Sequence, residues 1–250
     1  MDYYDITGLS EHGKSRRVAS CAKRRYGMKV RLISYTPDPE MTVAIAARRC
    51  YSALGSCELT CGLSPEEAKK LINTILEAGH LSPAEHASFT FAMEGVSRSL
   101  SHQLVRHRIA SYSQQSQRYV SESGFEYVVP PSIAGNPKAL GLFEKRIEEI
   151  RETYSKLAEM VPKEDARYIL PNACETKLVM TMNCRSLYNF FERRLCYRAQ
   201  WEIRELAEAM LDCVRQVAPN LFSWVGSPCE MHGYCPEGKM SCGKIKSVNR

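Results

Sequence analysis

Apolar positions along the chain repeat at two periods, and these mark out the expected elements. Met28-Lys-Val-Arg-Leu-Ile-Ser-Tyr alternates as a strand does. Phe89, Phe91 and Met93 keep the same period, as do Leu178, Met180 and Met182. Phe125-Glu-Tyr-Val-Val reads as a further strand stopped by Pro130-Pro131. Strands are therefore predicted near 28–35, 87–94, 125–129 and 176–182. Helical spacing fills the intervals, first over Glu40 to Arg49 after Pro37 and Pro39. Ser64-Pro65-Glu66-Glu67 forms a capping box with proline at the first helical position, and Ala68, Leu71, Ile72, Ile75 and Leu76 make one apolar stripe before Gly79. Val96, Leu100 and Leu104 carry a short helix into a polar segment. Asn136-Pro137 opens a long helix on Leu140, Phe143, Ile147, Ile150, Tyr154 and Leu157, whose Lys145, Glu148, Glu149 and Arg151 form a solvated outer face. From Asn183 a helical stretch runs through Trp201 and Leu211. Within it Arg185 and Asn189 stand one turn apart, as do Arg194 and Arg198, so each pair is expected to share a face. The chain reads as α+β, with more helix than strand.

Composition narrows the class. A chain of 250 residues can bury a substantial core, and no apolar run approaches the length that spans a bilayer. Residues 1–27 are polar and basic, with Lys14, Arg16, Arg17, Lys23, Arg24 and Arg25, and read as an extension outside a core at 28–226. They lack the apolar segment of a secretory signal. Residues 227–250 form a cysteine-rich tail. The net charge of +6 favours anionic partners without choosing among them. The eleven cysteines are scattered through predicted helices and strands, which points to reduced thiols in the cytoplasm rather than a bridged secreted fold. In the tail, Cys229, His232, Cys235 and Cys242 do not match the paired Cys-x2-Cys of robust zinc sites, so no metal is expected. No Gly-x-Gly-x-x-Gly follows a strand, which argues against a Rossmann dinucleotide domain.

The segment Arg106-His-Arg-Ile-Ala-Ser-Tyr-Ser-Gln-Gln-Ser-Gln-Arg118 carries the most concentrated chemistry. Only Ile109 and Ala110 are suited to a core. Arginine offers a planar donor fork for phosphate and carboxylate, and serine and glutamine add directional hydrogen bonds able to read a heterocycle. A phosphorylated small molecule fits that inventory, and on charge alone a solvated basic loop fits too. A nucleic-acid-binding protein is the competing class, resting on the basic N-terminus, this loop and thirteen tyrosines able to stack. Such binding would weaken steeply with salt.

The triplet Arg106-His107-Arg108, seven intervening residues, Ser116, and Arg118 two further on resembles the signature of the flavin-dependent thymidylate synthases. Further segments match over about Met28 to Val225: Ala46-Ala47-Arg48-Arg49-Cys50-Tyr51, His80-Leu-Ser-Pro-Ala-Glu-His86, Ala166-Arg167-Tyr-Ile-Leu-Pro171, and Asn183-Cys-Arg185-Ser186-Leu-Tyr-Asn189 with Arg194. The resemblance implies a mixed α/β protomer that assembles as a homotetramer with active sites between subunits. It implies reductive methylation of deoxyuridylate (dUMP) to thymidylate (dTMP) without an enzymic nucleophile. Methylenetetrahydrofolate would give the carbon, and flavin adenine dinucleotide (FAD) reduced by a nicotinamide such as NADPH would give the hydride.

By the same resemblance Gln103, Arg106, Gln114, Gln115, Ser116, Arg118, Arg167 and Arg194 would bind dUMP, with Arg194 catalytic. Ser82, Glu85, Arg106, His107, Arg108, Ile109, Gln114, Asn183, Arg185, Asn189 and Arg198 would hold FAD, and His80 would lie near the folate. Arg198 stands where some relatives carry histidine. Neither Cys50 nor Ser116 has a base beside it in sequence, so Cys50 reads as a small buried residue and Ser116 as a substrate-site hydroxyl. Two histidines and a glutamate at 80–86 do not form the inverted zinc motif, because the spacing is longer and Pro83 interrupts it.

Overall fold

The computed structural model describes residues 27–60 and 62–245. Most of the predicted basic extension therefore lies outside the described residues. Four strands, β1 (Lys29–Tyr35), β2 (Ser88–Ser97), β3 (Ser111–Gln114) and β4 (Glu175–Asn183), form one antiparallel sheet in the order β1-β2-β4-β3. The register sets Leu32 against Phe91 and Phe91 against Met180, and the two-residue period puts Phe89, Phe91, Met93, Met180 and Met182 on one buried face. In β2 the register shifts between Met93 and Val96, and Gly95 adopts φ +69° there. A Cβ at Gly95 would stand 2.6 Å from the Gly27 carbonyl oxygen, so the strand can pass this point only as glycine.

Helices cover the buried face. They are α1 (Pro39–Tyr51), α2 (Pro65–Glu77), α3 (Arg98–Leu104), α4 (Pro131–Ala134), α5 (Pro137–Met160), α6 (Lys163–Ala166), α7 (Cys184–Arg194), α8 (Trp201–Val217), α9 (Pro219–Phe222) and α10 (Pro228–His232). The capping box at Ser64 forms as its spacing predicts, with Ser64 and Glu67 satisfying each other's backbone N–H groups. Helix α8 is the central packing element, burying Ile203, Leu206, Ala207, Met210 and Val214 beneath the sheet. Its Glu202 is also buried and accepts hydrogen bonds from the backbone N–H and the hydroxyl of Ser97, both at 2.6 Å. Ser97 in turn caps α3 by accepting from the Leu100 N–H, so α8 fixes where α3 starts. Burial, partly offset by those bonds, raises the Glu202 pKa.

Three expectations about the secondary-structure elements are corrected. Residues 125–129 form no strand: Phe125 and Val128 are buried three apart, the one ladder contact is an isolated bridge from Tyr127 to Cys174, and Phe125 joins a small cluster with Ile147 and Cys174. The fourth strand is Ser111–Gln114, inside the segment expected to be a loop. It is an edge strand of polar residues, so apolar alternation could not reveal it. The stretch from Asn183 is two helices rather than one. Helix α7 ends at Arg194, and Gln200 restarts the chain by capping α8 through the Glu202 and Ile203 N–H groups. Arg198 lies in the intervening turn and shares no helix face with Arg194.

Ile109 is 76% exposed rather than in a core, and Cys50 is exposed rather than buried. Eight cysteines among the described residues are free, whereas Cys213 is disulfide-bonded, so the expectation of reduced thiols fails at that position. Among the described residues, no helix is long and apolar enough to cross a membrane.

Candidate active site

Helix α3 delivers the chain to Arg106, and β3 carries it away. The turn between them is clamped by Tyr112, whose hydroxyl donates to the carbonyls of Leu104 and His107, each at 2.9 Å. Burial pushes the Tyr112 phenol up to about 12, so it stays a donor. On the other side, β4 hands over to α7 at Asn183, whose side chain caps the helix by accepting from the Ser186 N–H at 2.8 Å. Turn and helix face each other across a cavity of about 640 Å³.

The cavity is lined by Glu85, Arg106, His107, Arg108, Ile109, Met182, Asn183, Arg185, Ser186, Asn189, Arg193 and Arg194. Residues 185, 186, 189 and 193 follow the helical period and so present one face of α7 to it. Five arginines against one carboxylate make the lining strongly cationic. That carboxylate, Glu85, is ion-paired with Arg185 across the mouth. Ile109 and Met182 supply apolar surface. An anionic ligand with a flat apolar body matches this mixture in charge and size.

Arg194 and His107 join the two sides. The Arg194 Nε donates to His107 Nε2 at 3.0 Å, between residues 87 positions apart. Its Nη2 reaches the Gln103 carbonyl at 3.5 Å. These contacts leave the remaining N–H donors of the guanidinium for a ligand. Burial, reinforced by the positive charges of Arg194 and Arg193, lowers the His107 pKa to about 4, so at neutral pH the ring is neutral and Nε2 can accept. The ring also packs edge-on against Phe190, with centroids 5.0 Å apart. Burial, and then Arg193, lowers the Arg194 pKa.

A second polar group lies outside the cavity. Arg118 binds the Glu164 carboxylate through Nη2 at 2.8 Å, and Arg167 donates from Nε to the Glu164 carbonyl at 3.1 Å. Arg98 donates to the Gln115 carbonyl at 2.9 Å, and its buried Nε has no hydrogen-bond partner among the described residues. Ser116 accepts from the Arg118 N–H. Beside this group Tyr119 and Tyr168 are 64% and 85% exposed.

The structure thus sorts the sequence candidates. Glu85, Arg106, His107, Arg108, Ile109, Asn183, Arg185, Asn189 and Arg194 converge on the cavity, and Gln103 touches it through its carbonyl. Arg118, Arg167, Gln115 and Ser116 gather at the second group. Gln114 donates to the Thr176 hydroxyl of the neighbouring β4, and Ser82 is exposed on the turn before β2. His80 pairs with the Tyr51 hydroxyl at 2.6 Å. Arg198 is apart from the cavity, ion-paired with Glu237. Met182, Ser186 and Arg193 also line the cavity, and the sequence assigns none of them a site role. Helical periodicity from Asn189 would have found Ser186 and Arg193.

A model of the family described as thymidylate synthase complementing protein matches residues 31–220 of this chain. A flavin-dependent thymidylate synthase of Clostridium tetani is 51% identical over 241 residues, covering 90% of this chain and 96% of the relative. One from Geobacter sulfurreducens is 52% identical over 226 residues, covering 89% and 97%. One from Sulfurisphaera tokodaii is 46% identical over 208 residues, covering 82% and 80%. The nucleic-acid-binding reading gains no support from these relatives.

Proposed function

Since the chain belongs to the flavin-dependent thymidylate synthase family, we propose that it converts dUMP to dTMP with a flavin bound in the cavity between the Arg106 turn and α7. The observation that carries this reading is the Arg194–His107 contact, which ties the two polar segments into one cationic cavity. The lining suits FAD: the arginines and the N-terminus of α7 would hold an anionic group, and Ile109 and Met182 would supply apolar contact for a flat ring. Asn183 at the cap of α7, with Arg185 and Asn189 on its face, would hold it from one side, and Arg106, His107 and Arg108 from the other. A bound reduced flavin supplies the hydride, renewed by NADPH, and methylenetetrahydrofolate supplies the carbon.

Arg194 then acts on dUMP. Its unspent N–H groups stabilise negative charge developing on the uracil ring, and the neutral His107 fixes the plane of the guanidinium by accepting from the Arg194 Nε–H at its Nε2. Arg118 and Arg167 bind the nucleotide phosphate, with Gln115 and Ser116 at the same group. Glu164 holds both arginines until the phosphate competes for them. His80 sits beside the folate. Full assembly is a homotetramer with active sites between subunits, which would cover Tyr119 and Tyr168 next to the arginines. Eight of the described cysteines are free, which accords with work in the cytoplasm, whereas the disulfide at Cys213 does not.

The test is to purify the chain, record its visible spectrum, and follow dTMP formation with dUMP, methylenetetrahydrofolate and NADPH. Yellow protein with turnover that tracks flavin content is expected. Protein that neither carries nor takes up flavin would refute the reading. Mass measurement in solution tests the tetramer.

A further inference from the structure

The chain after α9 is held with almost no core. Past Val225 only Ser227 and Cys229 are buried among the described residues. Short segments without apolar burial need another restraint, most often a disulfide or a metal. Four cysteines line one small cavity here: Cys229, Cys235 and Cys242 from the tail, and Cys196 from the turn between α7 and α8. The space is about 10 Å³, the scale of one small atom and too small for an organic ligand. All four thiols are free.

We propose that Cys196, Cys229, Cys235 and Cys242 form a structural tetrathiolate zinc site that fastens the C-terminal tail to the turn following Arg194. Zinc favours four thiolates in a tetrahedron at about 2.3 Å, and closed sites of this kind stabilise small irregular segments. The local chain has the turns such a site needs. Gly233 reverses the chain after α10 at φ +72°, and Gly243 does so directly after Cys242 at φ +78°. The tail is already docked there by the Arg198–Glu237 ion pair and by Lys244, whose Nζ lies 3.7 Å from the Tyr197 ring centroid. Arg198 and Lys244 oppose the charge of a tetrathiolate, although Glu230 and Glu237 partly offset them.

Among the described residues no three potential ligands are yet gathered closely enough to hold an ion. Binding therefore includes closure of the half-buried Cys235 and exposed Cys242 onto Cys196 and Cys229. Four S–H bonds break and four Zn–S bonds form, with the protons passing to water and no electrons transferred. The spacing within the tail hid this set, because the fourth ligand is distant in sequence and His232 is not in the lining.

The test uses the full chain, purified without chelator under reductant from zinc-supplemented medium, with zinc and flavin measured per chain. One zinc per chain is expected. Cys196→Ser and Cys242→Ser should each lose it, while His232→Ala keeps it. Circular dichroism and bound flavin distinguish a lost site from a lost fold. Cobalt(II) in place of zinc should give thiolate-to-metal charge-transfer absorption and tetrahedral ligand-field bands, both absent in Cys242→Ser. A wild-type chain that neither carries zinc nor binds added Zn(II) overturns the proposal. So does iron with sulfide at these cysteines, or peptide mapping that finds them paired as disulfides.

Discussion

Replacing His107 and Arg194 singly and together measures how far the contact between them governs turnover. In His107→Phe the ring can keep its edge-on packing against Phe190, whose centroid is 5.0 Å away, while the acceptor for Arg194 disappears. A hydrogen bond to a charged group contributes about 1.5–3 kcal/mol. Both groups here are only partly buried, so solvent screening reduces this to about 1–2 kcal/mol. If that free energy orients Arg194 in the transition state, kcat falls about 5- to 30-fold. Arg194→Lys keeps the charge but loses the Nε donor and the planar fork, and should cost on the order of 100-fold. The double variant should then be little worse than Arg194→Lys, giving a coupling of about 1–2 kcal/mol. The assay is initial dTMP formation at saturating flavin and substrates, with flavin affinity measured for each variant. Effects that add within about 0.3–0.5 kcal/mol would show that His107 does not work through Arg194.

Other outcomes follow from the same structure. Because the His107 pKa is lowered from 6.5 to about 4, the unfolded chain binds a proton first as pH falls. Stability is therefore lost between those values, by on the order of 1–2 kcal/mol after screening, and denaturant melts at pH 7 and 5 should show a loss that His107→Phe largely abolishes. Arg118→Ala removes an exposed ion pair, so the melting temperature should barely move, while KM for dUMP rises about tenfold. Glu202→Ala strands the buried Ser97 N–H and should destabilise by about 2–4 kcal/mol, with Glu202→Gln milder because it keeps an acceptor; equal melting curves for the two would contradict the capping role. Gly95→Ala should give little folded protein, since its Cβ would meet the Gly27 carbonyl at 2.6 Å.

Where apolar periodicity was strong, the sequence disclosed the fold. The Ser64 cap, the stripe of α2, and the alternation of β2 and β4 follow from burial on one face, which periodicity reports directly. Ser111–Gln114 was missed because a polar edge strand alternates no apolar residues. The break at residues 195–200 was missed because a turn stabilised by the side chain of Gln200 leaves helical spacing intact on both sides. For the site, motif resemblance brought the arginines of both segments to notice. Only the folded chain separates the cavity from the Arg118–Glu164–Arg167 group and brings Arg198 beside the tail cysteines. Such neighbours come from chain reversals that no local pattern encodes.

The most direct measurement is a single turnover in which protein loaded with flavin is reduced without oxygen, freed of excess reductant, and mixed with dUMP and methylenetetrahydrofolate. The flavin absorbance should return as dTMP forms in equal amount, and Arg194→Ala should keep its flavin while both signals vanish. If dTMP forms while the flavin stays reduced, or the flavin reoxidises with no dTMP, the cavity between the Arg106 turn and α7 is not where this chain does its chemistry.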